Sequence, residues 1–266
     1  MTMPLSQRIV FWTIVVCVLV ILSVPTVVVL GASFTAGNMI DFPPDGLSLK
    51  WYSKIAGASD LWRAFGRSLY VATVCTLVAI PVGTLAGIAL AKYRVRFETP
   101  IQIYLLLPFT IPLIGSGIGL MLFFGEMRLL GQLWPVGVAC AVINLPFMVW
   151  AVMASASGLE PDLELAAANC GAPPLSTFFH VTLPAVTPGI ISGALLMFIL
   201  ALNEFLVSLL LVDARIVTLP VQIYNSIRSI ITPDLAAISV IFIASAVVAV
   251  IALDRLVGLE IFLKSK

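Results

Sequence analysis

Two adjacent polar residues, Asn203 and Glu204, lie inside a stretch from residue 189 to residue 212 that is otherwise apolar apart from two serines. Moving a carboxylate out of water is costly, so an ionisable side chain in such a stretch is a candidate for function. One hypothesis is that Asn203 and Glu204 line a pathway, where a carboxylate favours a cationic solute such as a polyamine. The alternative is that they join this stretch to its neighbours through hydrogen bonds between helices. The sequence leaves both hypotheses open.

The chain offers little else with which to catalyse a reaction. Its one histidine, His180, stands between Phe179 and Val181, so no pair of nucleophile and base is predicted there. The chain contains no Gly-x-x-x-x-Gly-Lys-Ser/Thr segment, so it has no cradle for the phosphates of ATP. Its four cysteines are scattered without metal-ligand spacing, which favours small buried apolar residues over ligands. We therefore predict no catalytic residue, metal or cofactor, and expect energy to come from a partner.

Composition indicates an integral membrane protein. Of the 266 residues, 61% are hydrophobic and only 10% are charged, whereas a soluble domain of this length would expose far more charge. The formal net charge of +1 gives no basic surface for nucleic acid. Membrane lipid is accordingly the predicted main surrounding of the chain.

Hydropathy predicts an all-α protein with six transmembrane helices, treated as one permease domain over residues 1–266. A helix needs about 20 mostly apolar residues to cross the hydrocarbon core of a bilayer. Prolines inside the predicted spans, such as Pro108, Pro112 and Pro146, are expected to produce kinks. Six stretches satisfy the length requirement: 10–32, 69–91, 101–124, 134–154, 189–212 and 236–253. On a continuous fifth helix, Glu204 would lie about 22 Å from Gly189, nearer the outer side.

Orientation is predicted from the densest basic cluster. The run "AKYRVR" at residues 91–96 holds Lys92, Arg94 and Arg96 between the second and third spans, and such clusters remain in the cytoplasm. The lysines and arginines of all the loops are divided equally between the two sides of the membrane. The compact cluster therefore determines the predicted orientation. Both termini and the loop between spans four and five are then cytoplasmic.

That loop, at residues 160–184, has a predictable local shape. Pro161 suits the first turn of a helix, and the alanines at 166–168 are the strongest helix formers. Gly171 supplies the conformation that ends such a helix, and Pro174 opens a second short one. We expect Pro184 and Pro188 to break the chain before span five. The loop has no lysine or arginine, and its alanine, glycine, leucine and phenylalanine residues suit docking to another protein.

The segments "LAAANCGA" at 165–172 and "HVTLPAVTPG" at 180–189 resemble the EAA loop of ABC-importer permeases of the type I, MetI-like class. Its pattern is Glu-Ala-Ala, three residues, Gly, and then an aliphatic residue, any residue and Leu-Pro. Six residues match this pattern: Ala166, Ala167, Gly171, Val181, Leu183 and Pro184.

One position of the EAA pattern differs. The family's Glu falls on Leu165, while Glu164 stands one residue earlier and about 100° around the helix. An ion pair between that Glu and the ATPase is therefore not expected in the usual form. Further segments, among them "FPPDGLSLKWY" at 42–52 and "LNEFLVSLLLV" at 202–212, resemble the spermidine/putrescine branch.

The resemblance implies a function and partners. It implies a permease subunit of an ATP-driven importer in a bacterial inner membrane, with two ATP-hydrolysing subunits, an identical or homologous second permease and an extracytoplasmic solute-binding protein. In such a protein the loop at 160–184 is the coupling loop, which binds the ATP-hydrolysing subunit. The residues that the resemblance assigns to it are Glu164, Leu165, Ala166, Ala167, Gly171, Ala172, Leu183 and Pro184. The implied solute is small and is passed to the cytoplasm.

Two other functional classes are a secondary carrier and a scaffold protein. A secondary carrier driven by an ion gradient would be expected to have internal repeats and discontinuous helices. No convincing repeat is found, and Glu204 is the one clear buried carboxylate. A scaffold protein would not require a loop of this defined shape. The sequence therefore favours the ATP-driven importer.

Overall fold

The computed structural model describes residues 4–93, 98–213, 215–229 and 232–257. Arg94 and Arg96, on which the predicted orientation partly depends, lie outside the described residues. The described part contains no β-strand, apart from an isolated bridge between Thr35 and Leu47. The all-α prediction is confirmed.

The helices follow one another along the chain with short connections. They are α1 (Leu5–Ser33), α2 (Lys50–Ala56), α3 (Ser59–Lys92), α4 (Glu98–Thr110), α5 (Leu113–Glu126), α6 (Leu133–Ser157), α7 (Pro161–Asn169), α8 (Pro174–Thr177), a π-helical turn (Phe178–Thr182), α9 (Leu183–Leu202), α10 (Leu206–Leu211), α11 (Leu219–Ser229) and α12 (Pro233–Val257).

Four helical stretches within the described residues are long and apolar enough to cross a membrane. They are Ser6–Ser33, Ser59–Lys92, Leu133–Ser157 and Pro174–Leu202. The pair α4 and α5 adds a fifth if it is counted as one bent span. The apolar part of α12, Pro233–Ala249, is shorter than these. A count of six spans therefore stays a prediction.

The predicted third span, 101–124, is not one kinked helix. Thr99–Pro108 and Leu113–Glu126 meet at 85°. Pro112 precedes α5 with ψ of 129°, outside the helical range, and a proline also disfavours helical geometry in the residue before it. Pro112 therefore ends α4 at Thr110 and begins α5, whereas Pro108 lies inside α4.

The fifth span also differs from its prediction of 189–212. The helix runs without interruption from Pro174 through the π-helical turn to Leu202, so Pro184 and Pro188 do not break the chain. In the π-helical turn the amide of Leu183 bonds to the carbonyl of Phe178, five residues back. This wider turn leaves room for the ring of Pro184, which would clash with the carbonyl four residues earlier in a regular helix.

The described chain divides into two compact units. The first contains Met1–Leu61 and Ile223–Val247. In it, the buried Trp51 indole donates a hydrogen bond to the carbonyl of Thr35 at 2.9 Å. The Lys54 ammonium also pairs with Asp234 at 2.7 Å, joining α2 to the first turn of α12.

The second unit, Trp62–Gln222 and Val248–Lys266, has its core where α6 packs along α9 and α3. Glycines permit this close packing. A Cβ on Gly189 would lie 2.6 Å from the carbonyl oxygen of Ala151, and one on Gly87 would lie 2.8 Å from that of Val149. Small residues at helix contacts are the usual means of packing helices in a membrane. This packed core lies next to the segment 160–184.

Candidate functional site

The segment at 160–184 forms a helix and a tight turn, as predicted, but the helix that follows the turn is not short, because it continues from Pro174 to Leu202. Pro161 occupies the first turn of α7. Gly171 has φ of +83°, and its amide donates to Ala168 at 2.9 Å while that of Ala172 donates to Ala167 at 3.0 Å. This pair of bonds is the Schellman motif, which satisfies carbonyls at a helix end and uses glycine for its left-handed residue. The angle between α7 and the next helix is therefore set by the backbone.

Glu164 points into the protein. Its Oε1 atom accepts hydrogen bonds from the Lys92 ammonium at the end of α3 and from the hydroxyl of Thr182 in the π-helical turn. Thr182 is buried, and about a quarter of each of the Lys92 and Glu164 side chains is exposed. Partial burial raises the pKa of Glu164, but the bonds from Lys92 and Thr182 and the charge of Lys92 outweigh it and hold the pKa below its ordinary value of 4.5. Glu164 is therefore ionised at neutral pH.

Leu165, at the position of the family's Glu, is exposed over 61% of its surface. Other large apolar side chains of the loop are exposed as well: Leu163 at 48%, Leu175 at 74% and Phe179 at 58%. Large exposed apolar side chains are candidates for contact with another protein or with lipid. We call Leu163, Leu165, Leu175 and Phe179 the apolar docking set.

The remaining predicted loop residues lie along the same segment. Ala166, Gly171 and Pro184 are exposed, whereas Ala167, Ala172 and Leu183 are half-buried. A cavity of about 380 Å³ lies between the loop and α3. Its lining includes Leu85, Ile88 and Lys92 from α3 and Glu164, Ala168 and Ala172 from the loop. Open space therefore separates part of the loop from α3.

Asn203 and Glu204 lie just beyond the end of α9 at Leu202, not inside a continuous helix over 189–212 as predicted. The carbonyl of Ile199 accepts a hydrogen bond from the Asn203 side-chain amide at 2.9 Å. The Oε1 atom of Glu204 accepts one from the amide of Val207 at 3.0 Å, at the start of α10. Glu204 is half-buried, and Asn203 is exposed. The Glu204 carboxylate therefore caps the start of α10, whereas the Asn203 side chain makes an i to i−4 bond of the kind also found inside helices.

The structure adds residues that the sequence did not assign to the site. In the sequence, Lys92 is only one member of a basic cluster, and Thr182 occupies the unspecified position of the motif before Leu183 and Pro184. Their partner Glu164 is 72 residues from Lys92 and 18 from Thr182, so no local spacing indicates the contact. The cysteine prediction is half right, since Cys75 and Cys140 are buried but Cys17 and Cys170 are exposed.

Comparison with known families decides the class of the chain. A family model described as "Binding-protein-dependent transport system inner membrane component" matches residues 79–259, more than half of the chain. The match includes α6, the whole loop and α9. The chain belongs to this family. It is accordingly the permease component of an ABC importer, and its resemblance to the MetI-like class is confirmed.

Individual permeases are similar over most of the chain. Putrescine transport system permease protein PotI of Escherichia coli (strain K12) is 29% identical over 245 residues, covering 88% of this chain and 86% of PotI. Molybdenum transport system permease protein ModB of Mycobacterium tuberculosis (strain ATCC 25618 / H37Rv) is 30% identical over 200 residues, covering 69% and 75%. These two permeases are named for chemically different solutes.

A solved ABC transporter shares the fold. The crystal structure of a bacterial ABC transporter that imports the acidic polysaccharide alginate has a chain that matches with a TM-score of 0.68 at 15% identity. The match covers 96% of this permease and 99% of that chain. Members of the family are inner-membrane permeases, and the family implies ATPase and solute-binding partners.

Proposed function

We propose that this permease passes a small cationic solute, of the polyamine class, from a solute-binding protein to the cytoplasm. The similarity to PotI over 88% of the chain supports a polyamine. The Glu204 carboxylate supports a cation, because Oε1 accepts from Val207 and a carboxylate has further acceptor positions. In this proposal Asn203 and Glu204 line the outer part of the pathway.

The observation that carries the mechanism is the loop with its Schellman turn and apolar docking set. In our proposal this loop is cytoplasmic and binds an ATP-hydrolysing subunit through the docking set. Two such subunits serve two permeases, this chain and an identical or homologous second one. The second permease is proposed because a bundle of six spans, the predicted number, is too small to enclose a gated pathway easily.

Alternating access then follows from the binding of ATP. ATP binds the closed pair of ATPase subunits more tightly, and this difference in affinity shifts the equilibrium of the complex. Closure brings the two docked loops together and tilts the spans to face outward. Hydrolysis reverses the change. The permease transmits this free energy and does not generate it.

The runner-up is a carrier driven by an ion gradient. The breaks after α4 and α9 are discontinuities of the kind found in such carriers. Prolines account for the first break without any ion site, and the family match favours the ATP-driven importer.

Co-purification tests the proposed function. A tagged chain isolated in detergent from the organism that carries it should bring down a protein with a Gly-x-x-x-x-Gly-Lys-Ser/Thr segment, identified by mass spectrometry, together with ATP hydrolysis. The control is a tagged, unrelated permease from the same membrane. Recovery of the folded chain without such a subunit would contradict the proposal.

The orientation has its own test in Cys170, which is exposed beside the turn. In sealed right-side-out vesicles, a membrane-impermeant maleimide should leave Cys170 unlabelled, and in inverted vesicles it should label it. A Cys170→Ser variant identifies the signal, because Cys17, which is also exposed, lies within the apolar helix α1. Labelling of Cys170 from the outer side alone would put the loop out of reach of a cytoplasmic ATPase.

A further inference from the structure

Lys92, Glu164 and Thr182 join three separate elements of the second unit at one oxygen atom. Oε1 of Glu164, on α7, accepts from Lys92 at the end of α3 and from Thr182 in the π-helical turn. The first partner bears a full charge, and hydrogen bonds of this charge-assisted kind are about twice as strong as neutral ones. We call these three side chains the polar tie.

The polar tie spans a region where packing is poor. The cavity of about 380 Å³ is lined by α3 residues such as Leu85 and Ile88 and by Ala168 of α7. Of the α7 residues, Asp162, Leu163 and Leu165 are among those that are exposed. A closely packed interface transmits displacement, whereas an open cavity does not, because the groups on its two sides are not in contact.

The orientation of Glu164 also separates two tasks within α7. Its carboxylate is engaged inside the protein, while the adjacent Leu165 is exposed and belongs to the apolar docking set. Neighbouring residues on a helix differ by about 100° in direction, so one helix presents an outward apolar contact and an inward ionic one.

We propose that the polar tie transmits movement of the docked loop to α3, and that Glu164 takes no part in the contact with the ATPase. This proposal rests on the proposed function. Lys92, Glu164 and Thr182 are positioning residues that keep α7 at a fixed distance from the end of α3. The partner surface that faces Leu165 is then apolar and needs no basic residue for this carboxylate.

Hydrogen exchange of the complete transporter complex in nanodiscs tests the polar tie without knowledge of the solute. Amide exchange is followed by mass spectrometry in α7 and in the last turns of α3, with and without trapping by ATP and vanadate. In the unmodified complex, trapping should change exchange in both segments by about fivefold. In Lys92→Met and Glu164→Met, in which the new methionine supplies neither a charge nor an oxygen acceptor to complete the contact, α7 should respond as before, while the response of α3 falls to background.

A charge exchange and a matched control complete the design. The double variant Lys92→Glu with Glu164→Lys should restore the response of α3, since the Thr182 hydroxyl can accept as well as donate. Asp162→Asn removes a carboxylate from the exposed side of the same helix and should leave both responses unchanged. Unfolding midpoints of the variants show whether each one is folded.

Each other result overturns a specific statement. If α3 still responds in both single variants, or if a folded charge exchange fails to restore the response, the polar tie does not transmit movement. If α7 loses its response in the single variants, Glu164 belongs to the docking contact. If the unmodified chain retains no ATP-hydrolysing subunit, the proposed function itself fails, and the polar tie has no docked loop to serve.

Discussion

Replacement of Gly171 by valine should lower retention of the ATP-hydrolysing subunit by about tenfold or more. A φ of +83° costs an L-residue about 1–2 kcal/mol, and it costs a β-branched residue more. A free-energy difference of about 1.4 kcal/mol changes an equilibrium constant tenfold. No atom lies within 4 Å of a Cβ placed on Gly171, so crowding contributes nothing. The effect arises because valine drives the Schellman turn into another conformation and changes the direction of α7. Quantitative pull-down of the subunit with the tagged chain measures it.

Two further variants isolate the backbone effect. Gly171→Asn should retain the subunit nearly as well as the unmodified chain, since asparagine tolerates the left-handed conformation. Gly66→Val also adds a side chain where no atom lies within 4 Å of the new Cβ, but without positive φ, and should be neutral for binding. If Gly171→Val binds the subunit at full strength, the rigid turn is not what positions the docking set.

Glu204→Gln should reduce ATP-dependent uptake of radiolabelled putrescine into proteoliposomes by about tenfold, as expected for loss of one charge-assisted contact of about 1.4 kcal/mol. Glutamine keeps a side-chain oxygen that can accept from the amide of Val207, so the start of α10 is preserved. The change therefore removes the charge from the pathway while leaving the local structure in place.

Glu204→Ala separates the pathway role from the structural one. Alanine cannot accept from Val207, so this variant should lose stability as well as uptake, with a lower unfolding midpoint than Glu204→Gln. Equal uptake by the unmodified chain and a folded Glu204→Gln would show that the carboxylate is not needed for transport. Uptake that falls only in proportion to the lost stability would assign Glu204 to the helix break alone.

Local signals were sufficient to predict the shape of the loop. Pro161, the alanines at 166–168 and Gly171 act within a few residues of their own positions, so the sequence specifies the first helix and its end. The inward direction of Glu164 could not be predicted, because it depends on Lys92, which lies 72 residues away. Contacts of that kind arise only from the packing of whole helices.

Hydropathy predicted where the apolar helices lie better than where they are interrupted. The helices α1, α3, α6 and α12 lie where spans were expected, whereas α4 and α5 meet at 85° and the fifth span ends at Leu202. A hydropathy average along the chain does not indicate whether the backbone stays helical. The positions of the prolines did not predict the interruptions either. Pro112 stands at the start of a new helix, whereas the π-helical turn accommodates Pro184 within a continuous one.

That turn also affects how the surface of the fifth span can be mapped. A regular helix advances about 100° per residue, and one extra residue wound into Phe178–Thr182 shifts every later side chain by about that angle. A site-by-site accessibility scan from Pro174 to Leu202 should therefore give two periodic series that differ in phase. A single helical wheel drawn through both would assign lipid-facing residues on one side of Thr182 to the wrong face.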